Sequence, residues 1–219
     1  MKKINVITID GPSASGKGAL ARQIASKFSI NILDSGLLYR LFAYFDNLAI
    51  AHSEIAKKIQ QEITFKLNID KLQILNNKKD ITSELRSEDI AKTASKLSSK
   101  KEVRSLLFNI QRNFYTSEGL VADGRDMGTV VFKDAKLKIF LTASPEIRAK
   151  RRYIELQNLG QEVNMPALIA DIESRDLKDS SRELSPLLPA DDATIIDSSD
   201  MSLEEVFSFA ENLIKKEFI

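Results

Sequence analysis

The residues with the clearest chemistry are Gly11-Pro12-Ser13-Ala14-Ser15-Gly16-Lys17, which follow directly on the apolar run Ile4-Asn5-Val6-Ile7-Thr8-Ile9. The order is a buried-strand pattern, a Gly-x-x-x-x-Gly-Lys loop, and a helix-like run from Ala19 to Phe28. Backbone N–H groups of such a loop cradle phosphates, the helix that follows adds its positive end, and the lysine reaches the outer phosphates. The ligand class is therefore nucleoside triphosphate, held by Gly11, Pro12, Ser13, Ala14, Ser15, Gly16, Lys17, Gly18 and Ala19. Lys17 is followed by Gly18 and Ala19, so a hydroxyl that would touch magnesium or a phosphate is absent. Mg²⁺ is then expected to be held by phosphates, water and carboxylates, with no dedicated protein ligand assigned. Ser13 and Ser15 read better as residues that shape the loop.

Two more stretches carry reactive side chains. Asp34-Ser35-Gly36-Leu37-Leu38-Tyr39-Arg40 follows one apolar segment, and Asp123-Gly124-Arg125-Asp126-Met127-Gly128-Thr129-Val130-Val131-Phe132 follows another. Further arginines stand at 148, 151, 152, 175 and 182. Positioned cations stabilise the charge on peripheral oxygens during phosphoryl transfer, and arginine forks bind phosphate bidentately. Arg40 and Arg125, beside glycines just past strand ends, fit that role best. Arg148 and Arg152 read equally well as a solvated helix face. No general base is evident, which suits a phosphate acceptor already anionic at neutral pH. A sugar-hydroxyl acceptor would need a carboxylate such as Asp34 or Asp126 instead.

The elements that must position these groups alternate. Strands are expected at 4–10, 30–33, 119–123, 137–141 and 193–196. Helices are expected at about 17–28, 37–50, 53–61, 87–95, 101–117, 145–159 and 166–180, and from 203 onward. Ser144-Pro145-Glu146 is a helix start, with Gly160 as terminator, and Ser202-Leu203-Glu204-Glu205 is a capping box. Residues 63–69 and 72–75 have strand character and 76–79 is turn-like, an antiparallel patch that looks like an insertion. Such a pattern implies an α/β fold with a parallel sheet covered on both faces and ligands beyond the carboxyl ends of its strands.

With 219 residues, the chain is read as one domain, 1–219. A net charge of +1 points to neither nucleic acid nor membrane, and no apolar run approaches a membrane span. Met1-Lys2-Lys3 leads straight into a strand and does not read as a signal peptide. There are no cysteines, which removes disulfides and thiol chemistry and fits a cytoplasmic protein. The single histidine, His52, sits at a polar helix start without a nucleophile motif around it.

The motifs Gly11-Pro12-Ser13-x-x-Gly16-Lys17-Gly18, Asp34-Ser35-Gly36-x-x-Tyr39-Arg40, Asp123 to Phe132, and Arg175-Asp176-x-x-Asp179-x-x-Arg182 together resemble bacterial cytidylate kinase. The resemblance runs from residue 4 to about 200, and the Asp-Gly-Arg-Asp-Met-Gly block is its most discriminating part. It implies the P-loop kinase fold, with a five-stranded parallel sheet, a nucleotide-monophosphate-binding insertion at 62–97 and a mobile lid at 148–165. It also implies transfer of the γ-phosphoryl group of ATP to CMP or dCMP, with Mg²⁺. By the same resemblance, Lys17, Arg125 and Arg182 are catalytic. Ser95, Arg104 and Asp126 contact cytosine, Arg175 and Asp179 the ribose, and Arg40, Arg125 and Arg182 the acceptor phosphate, with Ser35 nearby. Ala14 and Ala19 depart from the family pattern, which has glycine and threonine there. Cytosine presents an N4 donor to a carboxylate, and O2 and N3 acceptors to Arg and Ser, whereas uracil would set O4 against Asp126.

Closure of insertion and lid over both nucleotides is expected, because water in the site would hydrolyse ATP. A monomer is expected, since no apolar stripe demands a partner. Rival readings are a small P-loop kinase for another acceptor, and a P-loop nucleotide switch or ATP-dependent binding protein. The arginine-rich acceptor side argues against the switch.

Overall fold

The computed structural model describes residues 5–68, 71–158, 160 and 162–218. In chain order its elements are β1 (Val6–Asp10), α1 (Lys17–Phe28), β2 (Asn31–Asp34), α2 (Ser35–Asn47), α3 (His52–Glu62), β3 (Ile63–Asn68), β4 (Lys71–Asn76), β5 (Lys79–Asp80), α4 (Thr82–Leu85), α5 (Glu88–Leu97), α6 (Lys101–Arg112), β6 (Leu120–Gly124), a π-helical turn (Met127–Val131), β7 (Leu137–Thr142), α7 (Pro145–Asn158), α8 (Met165–Ser180), β8 (Thr194–Asp197) and α9 (Leu203–Phe218). The parallel sheet has five strands in the order β2-β6-β1-β7-β8. β1 and β6 are buried at every residue, so both faces of the sheet's centre are covered, as unbroken apolar runs such as Val6-Ile7-Thr8-Ile9 require. β2 and β8 are the edges, and Ile195 on β8 is 60% exposed.

Register decides what the strand ends present. Asp10 pairs with Gly124 and Asp34 with Asp123, so the three strands β1, β2 and β6 end level with one another. The phosphate loop, the start of α2 and the Gly124–Asp126 segment therefore leave the sheet side by side, where such sheets bind ligands.

The second sheet is antiparallel, in the order β3-β4-β5. Its buried face, Leu72 and Ile74, joins Ile55, Ile81 and Leu85 in the same hydrophobic core that holds the main sheet. Asn77 and Lys78, at φ 47° and 73°, turn β4 back into β5, the turn type that matches strand twist. Ile69 and Asp70 lie outside the described residues, as do Ile4, Leu159 and Gln161.

Several boundaries differ from those expected from sequence. α6 stops at Arg112 rather than 117, because the Thr116 hydroxyl takes a hydrogen bond from Asn31 Nδ2 at 2.6 Å and one from the Glu118 N–H. Local side-chain bonds of this kind draw a chain out of the helix. α2 begins at Ser35, earlier than expected, since the Asp34 carboxylate caps it through the Leu37 N–H at 2.8 Å. The short β5 and α4, and the π-helical turn, had no signal in the periodicity. Ser144 accepts from the Ile147 N–H ahead of α7, Gly160 has φ 73°, and Ser202 and Glu205 cap each other's N–H groups.

Candidate active site

The phosphate loop spans the end of β1 and the start of α1. A Cβ on Gly11 would lie 2.0 Å from the Leu141 carbonyl oxygen, so only glycine lets the loop leave β1 this close to β7. Ala14 has φ +59°, the left-handed region where glycine is at ease and alanine is strained. That geometry explains why glycine is the usual residue in the pattern. Lys17 is 8% exposed and its Nζ donates to the Pro12 carbonyl at 2.9 Å. Burial, with Arg125 adding to it, pulls the lysine below its ordinary range.

The loop's carbonyls are held from outside. Arg148 Nη1 donates to the Ser13 carbonyl at 3.2 Å and Arg151 Nη1 to that of Ser15 at 3.1 Å. Arg148 also donates to the Ala143 carbonyl and pairs with Asp176 at 2.6 Å. At 3% exposed, Arg148 is no solvated helix residue; it and Arg151 brace the loop.

Beside the loop lies a cavity that gathers every substrate residue expected from sequence: Ser35, Arg40, Ser95, Arg104, Arg125, Asp126, Arg175, Asp179 and Arg182. Its walls come from α2, α5, α6, α8 and the strand end of β6. At one end, Asp126 pairs with Arg104, which also donates to the Ser98 carbonyl and lies over the Tyr39 ring at 5.9 Å. Asp126 is 3% exposed, and Ser95 lines the same end from α5. At the loop end, Arg125 Nε donates to Asp179 at 2.9 Å while its Nη2 donates to the Ser13 hydroxyl at 3.3 Å. Arg182 stands 3.6 Å from the other oxygen of Asp179, and its Nε is buried without a partner among the described residues. Arg40 donates to the Leu85 carbonyl, and burial, then Arg152, pull its pKa down. Clustered like-charged guanidiniums, one with a buried N–H left over, favour an anion.

A second opening adjoins the first and is lined by Lys17, Asp34, Arg40, Asp123, Arg125 and Arg152, with Arg22. Asp34 and Asp123 face each other across neighbouring strand ends. Burial, followed by Asp34, pushes Asp123 above the ordinary carboxylate range. Two crowded carboxylates beside a phosphate loop are an oxygen donor set that suits a hard divalent cation, which Mg²⁺ proteins hold through one or two carboxylates plus substrate phosphates. Among the described residues no group of three or more His, Cys, Asp or Glu forms a metal cage.

Known proteins resemble this chain along nearly all of its length. The family described as cytidylate kinase matches residues 7–216. The chain belongs to that family. The cytidylate kinase of Acinetobacter baylyi is 44% identical over 219 residues, covering 96% of both chains, and that of Photorhabdus laumondii is 44% identical over 222 residues, covering 96% of this chain and 95% of the other. Among solved structures, an uncharacterized protein from Eubacterium ventriosum superposes with a TM-score of 0.57 at 12% identity, covering 98% of this chain and 99% of that one, a likeness of fold alone.

Within this cytidylate kinase fold, four residues matter to which sequence reasoning gave no individual role, although Asp10 falls at a strand end expected to be chemical. Asp10 accepts from the Met127 N–H at 2.8 Å and the Gly128 N–H at 2.7 Å, anchoring the π-helical turn that follows Asp126. Burial pushes its carboxyl up to about 6, although those two bonds oppose the shift. Glu88, on α5, pairs with Arg152 of α7 and with Arg175 of α8 at 3.2 Å. Gln111, 3% exposed on α6, donates to the Ser35 hydroxyl at 3.0 Å. Arg22 stands close to Asp123 over Gly18. Of the other three, Gln111 alone had a legible signal, a polar residue one turn beyond the buried Leu107. His52 lies outside the cavity, between Asp46 at 2.9 Å and Glu102 at 3.4 Å, and ties α3 to α2 and α6.

Proposed function

We propose that the chain transfers the γ-phosphoryl group of ATP to CMP or dCMP in one in-line step, giving ADP and CDP or dCDP. The observation that carries this reading is the single cavity running from the Asp126–Arg104 pair to the arginines beside Ser13. A carboxylate and a guanidinium at one end match the donor and acceptor edge of cytosine. Cations at the other end match two polyanions brought together.

In this reading ATP lies on the phosphate loop, with Lys17 on its outer phosphates. Arg40, Arg125 and Arg182, with Ser35, hold the acceptor phosphate, and Arg175 and Asp179 hold the ribose. Ser95, Arg104 and Asp126 read the base. Asp34 and Asp123 would hold Mg²⁺, and the ion would supply screening of the phosphate charge. The acceptor oxygen is already anionic near neutrality, so no residue has to remove its proton. Lys17, Arg125 and Arg182 neutralise charge as the phosphoryl group moves, and displace water from it. The insertion at 62–97 and the segment at 148–165 close over the two nucleotides, and the protein works as a cytoplasmic monomer. Among the described residues no helix is long and apolar enough to cross a membrane.

The deciding experiment is a coupled ADP-release assay with ATP, Mg²⁺ and CMP, dCMP, UMP, dTMP or AMP as acceptor. Fast turnover with CMP and dCMP alone is expected. Turnover that favours another acceptor, or no acceptor-dependent turnover, overturns the reading; the latter outcome favours a nucleotide switch. Sedimentation of the purified protein checks the monomer.

A further inference from the structure

We propose that Gln111 is a positioning residue for the acceptor phosphate, because its amide forces the Ser35 hydroxyl to act as a donor into the cavity. The inference rests on the CMP-phosphorylating reading above and deepens it. A serine hydroxyl has one proton and two acceptor lone pairs, and its rotor is free unless a neighbour fixes it. Gln111 Nε2 donates to Ser35 Oγ at 3.0 Å and so occupies a lone pair. The hydroxyl proton must then point elsewhere. Among the described residues no protein oxygen accepts it, and Ser35 lines the cavity. The proton is thereby aimed where an anion would sit. Ser35 is also the first residue of α2, whose amino end favours negative charge.

Burial supports the assignment. Gln111 is 3% exposed and Ser35 4% exposed. A buried amide without purpose is costly, and an apolar side chain would pack as well beside Leu107 and Ile110 on the same helix. Arg104 lies two turns earlier on that helix, roughly 10 Å away along its axis. One face of α6 thus addresses both ends of a mononucleotide: Arg104 the base, and Gln111, through Ser35, the phosphate.

The test is a double-mutant cycle in steady-state kinetics with ATP and CMP, using the wild type, Gln111→Met, Ser35→Ala and the double variant. Each single change should raise the KM for CMP roughly tenfold, the loss of about one hydrogen bond to a charged group. The KM for ATP should stay unchanged, and the double variant should be no worse than Ser35→Ala. Additive losses, or a KM for ATP that rises in step, would show that Gln111 only packs, and would overturn the proposal. Gln111→Leu repeats the cycle with a different apolar shape, so that a packing defect of one variant does not decide the outcome. A wild type without CMP-dependent turnover overturns both this proposal and the function beneath it. An active wild type with an additive cycle overturns this one alone.

Discussion

Arg125 connects Ser13 of the phosphate loop to Asp179 of α8, donating Nη2 to the first at 3.3 Å and Nε to the second at 2.9 Å. One planar guanidinium thus ties the phosphate loop to α8 across the cavity. Lysine keeps the charge but lacks the fork. Arg125→Lys should therefore lower kcat by about two to three orders of magnitude, the range for removing one positioned donor to a transition state. The ADP-release assay with saturating CMP checks it; a loss under tenfold would mean that charge alone suffices.

Asp126 is nearly fully buried and paired with Arg104, so its removal affects both partners of the edge proposed to read the base. Asp126→Ala is expected to reduce the preference for CMP over UMP by about 2–4 kcal/mol. The quantity to measure is the ratio of kcat/KM values for the two acceptors. An unchanged ratio would show that Asp126 does not read the base.

Ala14 occupies a left-handed backbone position at φ +59°. Ala14→Gly should stabilise the fold by about 1 kcal/mol, since relief of that strain outweighs the added freedom of the unfolded chain. Urea titration of the two proteins gives the difference directly. Equal midpoints would mean that the loop relaxes around the alanine.

Asp10 sets a pH dependence of known sign. Burial raises its carboxyl from 3.8 to about 6. A raised folded-state value means a stabilising contribution that is full below the unfolded pKa and lost as pH rises through about 6. At about 1.4 kcal/mol per unit, the loss between pH 4 and pH 6.5 is roughly 2 kcal/mol. Asp10→Asn lacks this titration. The stability of the wild type relative to the variant should accordingly fall across that window in urea titrations; a difference independent of pH would refute the shift.

Much of this was legible because the chemistry sits at strand ends that motif and periodicity both mark. The phosphate loop, Asp34 to Arg40 and Asp123 to Asp126 needed only the parallel register to come together, and Asp34 opposite Asp123 supplies it. The residues that stayed hidden act across long sequence distances. Asp10 meets Gly128, Glu88 meets Arg152, and Gln111 meets Ser35, and no local pattern specifies such pairs. Arg148 was ambiguous for the same reason: its helix is strongly polar, and only tertiary packing buries it under the loop. The π-helical turn escaped because its i→i+5 bonds, such as Val131 N–H to the Asp126 carbonyl, depend on the anchor at Asp10 rather than on propensity.

The grip of Arg148 and Arg151 on the carbonyls of Ser13 and Ser15 has a mechanical consequence. The first two turns of α7 are fastened to the phosphate loop, and Arg151 is tied to Ser198 as well. Arg152, the next residue, instead reaches across to Glu88 on α5. A segment that swings over bound nucleotides cannot rotate about residue 148 without tearing the loop from its supports. In the closure proposed above, the pivot would belong beyond Arg151, which would make the closing segment shorter than the arginine-rich stretch that advertises it.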